Sequence, residues 1–412
     1  MHRPRTAVVF GRGSVGGLSA VLDDVSATRS CSTRRVLFVS DPGITATAMF
    51  GDAVDAVRRG GRDVETFAEF SPNPDTEDVA TGGRFAGGYR PDVIVGFGGG
   101  SSLDCAKGIN FVYSCGGTIA EYRGSATATT PLLPMVAIPT TAGTGSEMQS
   151  YAVISDAETG MKLACGDPSA APAVAILDPE LTRTAPPLVA ALAGLDAISH
   201  VVEAYVSRAA NPINRMYAAA AAEKLFGGYR ASLGKDVAVD VREAMQWGAA
   251  WAGSAIESGM LGAAHALANP LTAAHGLPHG LAVALTLPVV MRLNASEAGD
   301  RYGALAAAVN GGRRGPTLDE HVRRCVAAAV PWLSGQPGGA WLPTDGSTTG
   351  ASSPDGFAGD PAGEPLGGPP DIAILTSGAL AQWTGRFNPV ALNEANVGWC
   401  YREIIGGGGH GG

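Results

Sequence analysis

The chain has 412 residues and a formal net charge of −9. This length is too great for one ordinary hydrophobic core and predicts two domains. The acidic balance argues against a nucleic-acid groove, which would need clustered Lys and Arg to neutralise phosphates.

Two further features bear on where the protein works. No apolar run approaches the ~20 residues of a membrane-spanning helix, and only a few apolar residues follow the basic N-terminus before Gly11, so we expect no secretory signal. The six cysteines are scattered without a C-x-x-C pair, a pattern typical of reduced thiols. We expect a cytoplasmic protein that binds neither membrane nor nucleic acid.

The first part of the chain alternates short apolar runs with helical segments. The runs "TAVVFG", "RRVLFVSD", "DVIVGFGGG" and "MVAIPTT" are apolar over consecutive positions, as strands covered on both faces must be. The segments "MFGDAVDAVRRGG" and "SSLDCAKGINFVYS" have helical spacing. This alternation predicts an α/β domain with a parallel sheet over residues 1–184.

Two glycine clusters in this domain compete for one role. "FGRGSVGG" at 10–17 follows the first predicted strand and matches the dinucleotide-binding pattern G-x-G-x-x-G, while "VGFGGGSSLD" at 95–104 ends a later strand. Glycines at such a turn let backbone N–H groups approach phosphate oxygens at the start of a helix. By spacing alone, either cluster could hold a pyrophosphate.

After residue 184 the sequence becomes rich in Ala, Leu and Glu and loses the rhythm of strands. We therefore predict an all-helical second domain over 185–412. Between about 334 and 370, Gly, Pro, Ser, Thr and Asp dominate. Such a segment buries too little apolar area to offset its ordering entropy and predicts a flexible surface excursion.

Four residues of the helical domain could bind a metal. Asp196 and His200 are four apart, which places them on one helix face. His265 and His279 flank Pro270 and Pro278, which we expect to break the segment into two elements that face a common point. One carboxylate and three imidazoles suit Fe²⁺ or Zn²⁺. From spacing alone, histidines that only satisfy their own hydrogen bonds are an equal alternative.

Four segments in chain order resemble the signature blocks of the iron-containing (group III) alcohol dehydrogenases. They are "GGGSSLDCAK" at 98–107, "IPTTAGTGSE" at 138–147, "GLDAISHVVEAYVS" at 194–207 and "HALANPLTAAHGLPHG" at 265–280. Shorter matches join them, including "AILDPEL" at 175–181 and "WTGRFNP" at 383–389. The resemblance implies a dehydroquinate-synthase-like architecture, with an α/β NAD-binding domain, an all-α metal-binding domain and a cofactor cleft between them. It also implies a homodimer or larger homo-oligomer.

The resemblance also implies roles for individual residues. Asp196, His200, His265 and His279 would bind Fe²⁺, with Zn²⁺ as the open alternative. The residues that would bind NAD(H) are Asn73, Gly99, Gly100, Ser101, Asp104, Thr140, Thr141, Thr144 and Lys162. The block at 98–107 is then the predicted pyrophosphate-binding site, called the pyrophosphate seat below. "FGRGSVGG" is then a tight turn between the first strand and the first helix. Asp41 ends the second predicted strand, where a carboxylate can bind an adenosine ribose and repel a 2′-phosphate, so we expect NAD(H) rather than NADP(H).

The activity that this resemblance implies is reversible hydride transfer between NAD(H) and a small primary alcohol/aldehyde pair. Phosphonoacetaldehyde and semialdehydes are candidate substrates. Many members of the family carry a second histidine, assigned to proton relay, where this chain has Asn269. We expect Asn269 to act in catalysis by hydrogen-bonding to the substrate, because an amide can form that bond but cannot titrate near neutral pH. His275 is the candidate replacement for the relay, with a loop histidine of no special role as the alternative.

Two competing functions remain. A dehydroquinate-synthase-like cyclase would also use NAD and a metal, but it would need a basic phosphate pocket, and the metal-bearing segments are poor in Lys and Arg. The other is an inactive scaffold whose metal and NAD are structural.

Overall fold

A computed structural model describes residues 4–125, 127–342 and 370–406. The chain divides into an N-terminal unit, Met1–Ala185, and a C-terminal unit, Pro186–Gly412. The predicted division, after residue 184, is one residue earlier.

The N-terminal unit is an α/β structure, as predicted. Its described strands are β1 Ala7–Phe10, β2 Arg35–Val39, β3 Asp63–Phe67, β4 Val93–Gly98, β5 Met135–Pro139, β6 Tyr151–Ser155, β7 Lys162–Gly166 and β8 Val174–Leu177. Its described α-helices are α1 Leu18–Arg29, α2 Pro42–Thr45, α3 Ala48–Arg59, α4 Thr76–Tyr89 and α5 Gly100–Cys115.

The main sheet is parallel, with the strand order β1-β8-β5-β4-β2-β3 among the described residues. Strands β6 and β7 form a separate antiparallel pair. The four apolar runs of the sequence analysis are β1, β2, β4 and β5. Strands β3, β6, β7 and β8 were not predicted from the sequence.

The sheet is covered on both faces, which explains the unbroken apolar runs. Val36 and Phe38 of β2 belong to one buried cluster with α1 and α3. Leu37 and Val39 face the opposite way, into a second cluster with α5. Because successive strand residues point to opposite faces, a sheet buried on both faces requires apolar residues at every position.

The strand order creates a crevice at one sheet edge. Strands β2 and β4 are neighbours, and the chain continues from β2 to β3 on one side and from β4 to β5 on the other. Ligands of open parallel sheets bind outside the carboxyl ends of the strands at such a switch point. The ends of β2, β4 and β5 form this edge.

Every regular secondary-structure element in the described part of the C-terminal unit is a helix, as predicted. Its α-helices are α6 Pro187–Val206, α7 Pro212–Ser232, α8 Val239–Gly259, α9 Ala263–His275, α10 His279–Leu293, α11 Ala295–Val309, α12 Leu318–Leu333, α13 Ile372–Leu380 and α14 Glu394–Ile405. The expected break at Pro270 is wrong, because that proline lies inside α9. The segment breaks instead at 276–278, where Gly276 adopts a left-handed conformation with φ +66°.

Among the described residues, helix α6 meets the length and composition of a membrane-spanning helix, although charged and polar residues interrupt its apolar runs. Of the apolar window in its 20 residues, 72% is buried inside the protein. Alanine and leucine raise its mean hydropathy, yet its buried residues include Asp196, His200 and Glu203. Burial of this kind is what a core helix shows.

The start of the predicted excursion is also corrected. Residues 334–342 form turns and a short 3₁₀ helix, Gly339–Trp341, with Leu342 buried and the Trp341 ring 6.2 Å from the His275 ring. The excursion therefore does not include these residues. The remainder of the prediction, over 343–369, lies outside the described residues.

Candidate metal centre and cofactor edge

The four predicted metal ligands converge in the C-terminal unit. The Nε2 atoms of His200 and His265 each lie 3.3 Å from Asp196 Oδ1, and His279 Nε2 lies 3.7 Å from the same oxygen. The ring of His265 lies 5.0 Å from that of His200 and 5.4 Å from that of His279. One carboxylate oxygen is thus surrounded by three imidazole nitrogens.

The polar atoms of this cluster fit a bound cation. Asp196 Oδ1 and His265 Nε2 are buried and make no hydrogen bond despite their short separation. Asp196, His265 and His279 each offer a ligand atom, and these atoms lie within 4.8 Å of one another. Buried polar atoms without partners are costly, and one Fe²⁺ or Zn²⁺ would satisfy them because both metals accept carboxylate and imidazole ligands.

Three helices supply these ligands. Asp196 and His200 lie one turn apart on α6, His265 is in the first turn of α9, and His279 is the first residue of α10. Gly280 lets α10 approach α6 closely, because a Cβ there would lie 2.3 Å from the Leu192 carbonyl oxygen. The absence of a side chain at 280 therefore helps to place His279 against the cluster.

Glu203 is a buried carboxylate that the sequence analysis missed. Its Oε2 is in hydrogen-bonding contact with His265 Nδ1, and its Oε1 accepts a hydrogen bond of 2.7 Å from the Ala264 backbone N–H. The signal was present in the sequence, because positions 196, 200 and 203 share one helix face.

The charges of the cluster stabilise one another. Burial favours the neutral form of Asp196, but His200, His265 and His279 hold its pKa well below the usual value. Burial lowers the pKa of His265, but Glu203 and Asp196 outweigh that effect and raise the pKa to about 9. Opposite charges at short range inside a protein produce such shifts.

The two predicted catalytic residues occupy different parts of α9. Asn269 lies one turn after His265 and donates a 2.9 Å hydrogen bond to Gln382. His275 is buried at the end of the helix, which is ~15 Å along the helix axis from His265 at 1.5 Å per residue. Asn269 is therefore one helical turn from a proposed metal ligand, whereas His275 lies at the opposite end of the same helix.

The predicted pyrophosphate seat lies at the switch-point edge of the N-terminal unit. Gly99 precedes α5 and Gly100 is its first residue. A Cβ on Gly100 would lie 2.6 Å from Thr144 Cγ2, and one on Gly99 would lie 3.5 Å from Thr141. The Thr140 N–H donates a 2.9 Å hydrogen bond to the Gly98 carbonyl. The two signature blocks of this unit therefore pack against each other at the ends of β4 and β5.

Asp41 and Asn73 lie beside this seat. Asp41 is half-buried and caps the short helix α2 by accepting a 3.1 Å hydrogen bond from the Ile44 N–H. The Ser102 hydroxyl donates to its other oxygen at 3.2 Å, a link that the sequence analysis missed. Asn73 is exposed, and its loop is joined to α5 by a hydrogen bond from the Ser101 hydroxyl to the Pro72 carbonyl.

Asp104 belongs to a buried polar network next to this edge. Its Oδ1 accepts a 2.5 Å hydrogen bond from the Ser146 hydroxyl and lies 3.5 Å from Lys107 Nζ, while its Oδ2 accepts from the Val153 N–H at 3.2 Å. Lys162 is half-buried, and burial lowers its pKa while Asp104 opposes that shift. Among the described residues, the Lys162 ammonium makes no hydrogen bond or ion pair.

The first glycine motif occupies a different place. It follows β1, which is the outer strand of the sheet on the side away from β2 and β4. Gly13 adopts a left-handed conformation with φ +71° before a 3₁₀ turn, and the Val15 N–H donates to Asp178 at 3.2 Å. The motif thus forms a tight turn tied to the end of β8.

Comparisons with known proteins agree with this geometry. The model of the iron-containing alcohol dehydrogenases matches residues 5–179, and that of the C-terminal region of Fe-containing alcohol dehydrogenases matches residues 190–333. The chain is 33% identical to the NAD-dependent methanol dehydrogenase of Bacillus methanolicus, over 78% of this chain and 83% of that protein. It is 32% identical to the lactaldehyde reductase of Escherichia coli K12, over 77% and 82%.

A solved structure gives the same result. The iron-containing alcohol dehydrogenase of Thermococcus thioreducens superposes with a TM-score of 0.80 at 26% identity, over 99% of this chain and all of that one. The chain belongs to the iron-containing alcohol dehydrogenases, a family of enzymes that use NAD(H) and an iron ion.

Proposed function

We propose that this enzyme transfers hydride reversibly between NAD(H) and a small primary alcohol/aldehyde pair, at a metal held by Asp196, His200, His265 and His279. The observation that carries the proposal is the convergence of three imidazole Nε2 atoms on one carboxylate oxygen. When bound there, a divalent metal supplies Lewis-acid polarisation of the substrate oxygen. Fe²⁺ is the metal that we propose, with Zn²⁺ as the alternative that this ligand set also accepts.

The residues around the metal would prepare the site for this chemistry. Asp196, His200 and His265 are buried, and electrostatic interactions are stronger away from water. The side chain of His279 is 34% exposed, so the cluster is open on that side. We propose that substrate and metal enter from the His279 side.

We propose that NAD(H) binds the switch-point edge of the N-terminal unit. The backbone N–H groups at Gly99, Gly100 and Ser101 begin α5, and the positive end of a helix dipole favours a pyrophosphate. Thr140, Thr141 and Thr144 form the facing loop, Asn73 borders it, and Lys162 and Asp104 complete the proposed cofactor residues. Lys162 supports the assignment because it is a half-buried cation that a ligand could pair with.

Asp41 supports a preference for NAD(H) over NADP(H). Its carboxylate lies at the end of β2, on the flank of the crevice where an adenosine ribose is held in such sheets. A carboxylate accepts hydrogen bonds from ribose hydroxyls and repels a 2′-phosphate. Initial rates with NADH and NADPH test this assignment, and a strong preference for NADPH would contradict it.

The substrate is proposed from the relatives and from the charge of the site. Methanol and lactaldehyde, which the two relatives are named for, are small molecules with one reacting carbon. No Lys or Arg occurs in residues 194–206 or 263–282, which weighs against a cyclase that must hold a sugar phosphate. Phosphonoacetaldehyde and semialdehydes remain candidates within the small-aldehyde class.

The proton route is proposed on the residues of α9. Asn269 lies one turn from His265, where an amide can hydrogen-bond to the substrate but cannot exchange a proton near neutral pH. His275 is the candidate for exchange with solvent, at the far end of the same helix. If His275→Ala leaves turnover and its pH profile unchanged, the proton leaves by another route.

One experiment tests the activity. The protein is purified without oxygen, its metal is quantified, and NADH oxidation is followed across a panel of small aldehydes that includes phosphonoacetaldehyde and succinic semialdehyde. We expect turnover that disappears in Asp196→Ala. A wild-type protein that binds metal and NADH but reduces no aldehyde and oxidises no small alcohol would be a scaffold. Phosphate release from a sugar phosphate would identify a cyclase.

We also propose a cytoplasmic homodimer or larger homo-oligomer. The location is supported by the six cysteines, which are all free thiols. Light scattering of the purified protein tests the oligomeric state, and a monomeric mass would contradict it.

A further inference from the structure

We propose that Glu203 is a positioning residue that fixes the tautomer of His265. In this tautomer the proton is on Nδ1 and the lone pair of Nε2 is free to bind the metal. The inference rests on the proposed function, because it takes His265 as a metal ligand. It adds a residue with a separate task, since Glu203 itself does not face the metal position.

The contacts of Glu203 determine which way the proton must lie. Glu203 is 4% exposed, its Oε2 is in hydrogen-bonding contact with His265 Nδ1, and Asp196 Oδ1 lies on the opposite side of the ring, 3.3 Å from Nε2. An ionised carboxylate can only accept hydrogen bonds, so Nδ1 must donate. Histidine ligands of metals commonly make such a contact to a carboxylate, which fixes their tautomer and orientation.

The second oxygen of Glu203 prevents the carboxylate from turning away. Oε1 accepts a 2.7 Å hydrogen bond from the Ala264 N–H, in the residue just before His265. One carboxylate therefore holds both the backbone and the ring of the same ligand. Gly262 leaves room for this arrangement, because a Cβ there would lie 3.1 Å from Oε1.

Glu203→Gln separates tautomer control from packing because it preserves size and shape. If the amide oxygen accepts from Ala264, the amide NH₂ faces His265 Nδ1, which must then accept and moves the ring proton to Nε2. If the amide turns over, its NH₂ meets the Ala264 N–H and two donors oppose each other. The first orientation keeps both contacts but puts the ring proton on the atom that would bind the metal, and the second loses the contact with Ala264.

A matched control tests the purely structural alternative. The start of α9 has a second support, since Asn388 accepts from the Ala263 N–H at 3.3 Å and exchanges hydrogen bonds with Asn294. Asn294→Ala weakens that support without touching His265. If Glu203 only held the helix start, both variants would lose stability and metal affinity together.

The experiment measures Zn²⁺ affinity of the full-length, metal-stripped protein by competition with a chromophoric chelator, alongside the melting temperature of the metal-free form. For Glu203→Gln we expect about 10- to 100-fold weaker Zn²⁺ binding, the range for partners of metal ligands. We also expect its metal-free melting temperature to fall no further than that of Asn294→Ala, because the variant loses the charge beside His265 but keeps the packing. For Asn294→Ala we expect a lower melting temperature and unchanged Zn²⁺ affinity.

Two results overturn the inference. One is wild-type Zn²⁺ affinity in Glu203→Gln, and the other is a loss of affinity in both variants that follows their loss of stability. His265→Ala separates this failure from failure of the proposed function. If His265→Ala binds Zn²⁺ as tightly as the wild type, the metal assignment itself is wrong. If it loses Zn²⁺ and Glu203→Gln does not, only the role of Glu203 is wrong.

Discussion

Two glycines of the N-terminal unit should respond to alanine in opposite ways. Gly13 has φ +71° and ψ 10°, and nothing lies within 4 Å of a Cβ placed on it. Alanine there meets no clash but must adopt a left-handed conformation, which costs about 1–2 kcal/mol. For a unit of this size each kcal/mol lowers the melting temperature by roughly 2–4 °C. We expect this loss of stability in Gly13→Ala, with NADH affinity unchanged.

Gly100 lacks that backbone strain but has no free space. A Cβ there would lie 2.6, 2.8 and 3.0 Å from three atoms of Thr144, so alanine pushes the 140–145 loop away from the start of α5. Overpacking of this kind costs about 1–3 kcal/mol, and here the displaced atoms are those proposed to hold the pyrophosphate. We expect NADH affinity to fall about tenfold or more, which corresponds to about 1.4 kcal/mol of binding.

The assay measures the melting temperature and NADH fluorescence titration of both variants. Gly83→Ala is the matched control, because its Cβ would lie 2.8 Å from Val112 in the packing of α4, with no contribution to the proposed cofactor edge. It should lose stability through overpacking and keep its NADH affinity. The reasoning is refuted if Gly13→Ala weakens NADH binding more than Gly100→Ala does, or if Gly83→Ala weakens it as much as Gly100→Ala.

Three further predictions concern buried charges and the metal. Burial raises the pKa of Glu147 to about 7 from 4.5. Between these two pH values the folded state keeps a proton that the unfolded state loses, so the free energy of unfolding falls as the pH rises from about 4.5 to 7. The fall is at most ~3 kcal/mol, at 1.36 kcal/mol per pKa unit. Glu147→Gln should therefore raise the melting temperature at pH 8 more than at pH 5, and an equal change at both would contradict this. Lys107 is buried and donates to the carbonyls of Ser146 and Tyr151 at 2.7 and 2.8 Å. Lys107→Met should therefore lower the free energy of unfolding, measured in urea, by about 3–5 kcal/mol. A loss below 1 kcal/mol would show that these hydrogen bonds are not needed for folding. Removal of the metal with a chelator should lower the melting temperature. Zn²⁺ at 100 times its Kd should then raise the free energy of unfolding by about 2.7 kcal/mol. The same gain in Asp196→Ala would show that the metal binds elsewhere.

Local sequence patterns predicted the parts of the fold that have strong periodicity. The apolar runs of β2, β4 and β5 were sufficient to predict a parallel sheet. The spacing of Asp196 and His200 placed both on one helix face but left a metal site and ordinary histidines as equal alternatives, and the resemblance to the family decided between them. Strand β3, "DVETF", was missed because it is an edge strand with alternating exposure. Strands β6 and β7 were missed because they too are only partly buried. The position of Pro270 inside α9 depends on packing, which no spacing rule contains.

The buried polar contacts were beyond sequence reasoning for a different reason. Lys107 reads as an ordinary helix lysine, and only the tertiary structure places its ammonium against the carbonyls of another segment. Ser102 and Asp41 are 61 residues apart in the chain yet share a hydrogen bond. Such pairs depend on the strand order, which the sequence analysis did not predict.

The close approach of α10 to α6 has a consequence for anyone who wishes to move this site into another scaffold. Copying the four ligand side chains would not be enough. His279 is followed by Gly280, and any Cβ at 280 would lie 2.3 Å from the Leu192 carbonyl oxygen of α6. A backbone atom cannot rotate aside as a side chain can. A transplanted site must therefore include a glycine at the position of Gly280 in addition to the four ligands. A design method that evaluates only the geometry of the ligands would omit this glycine.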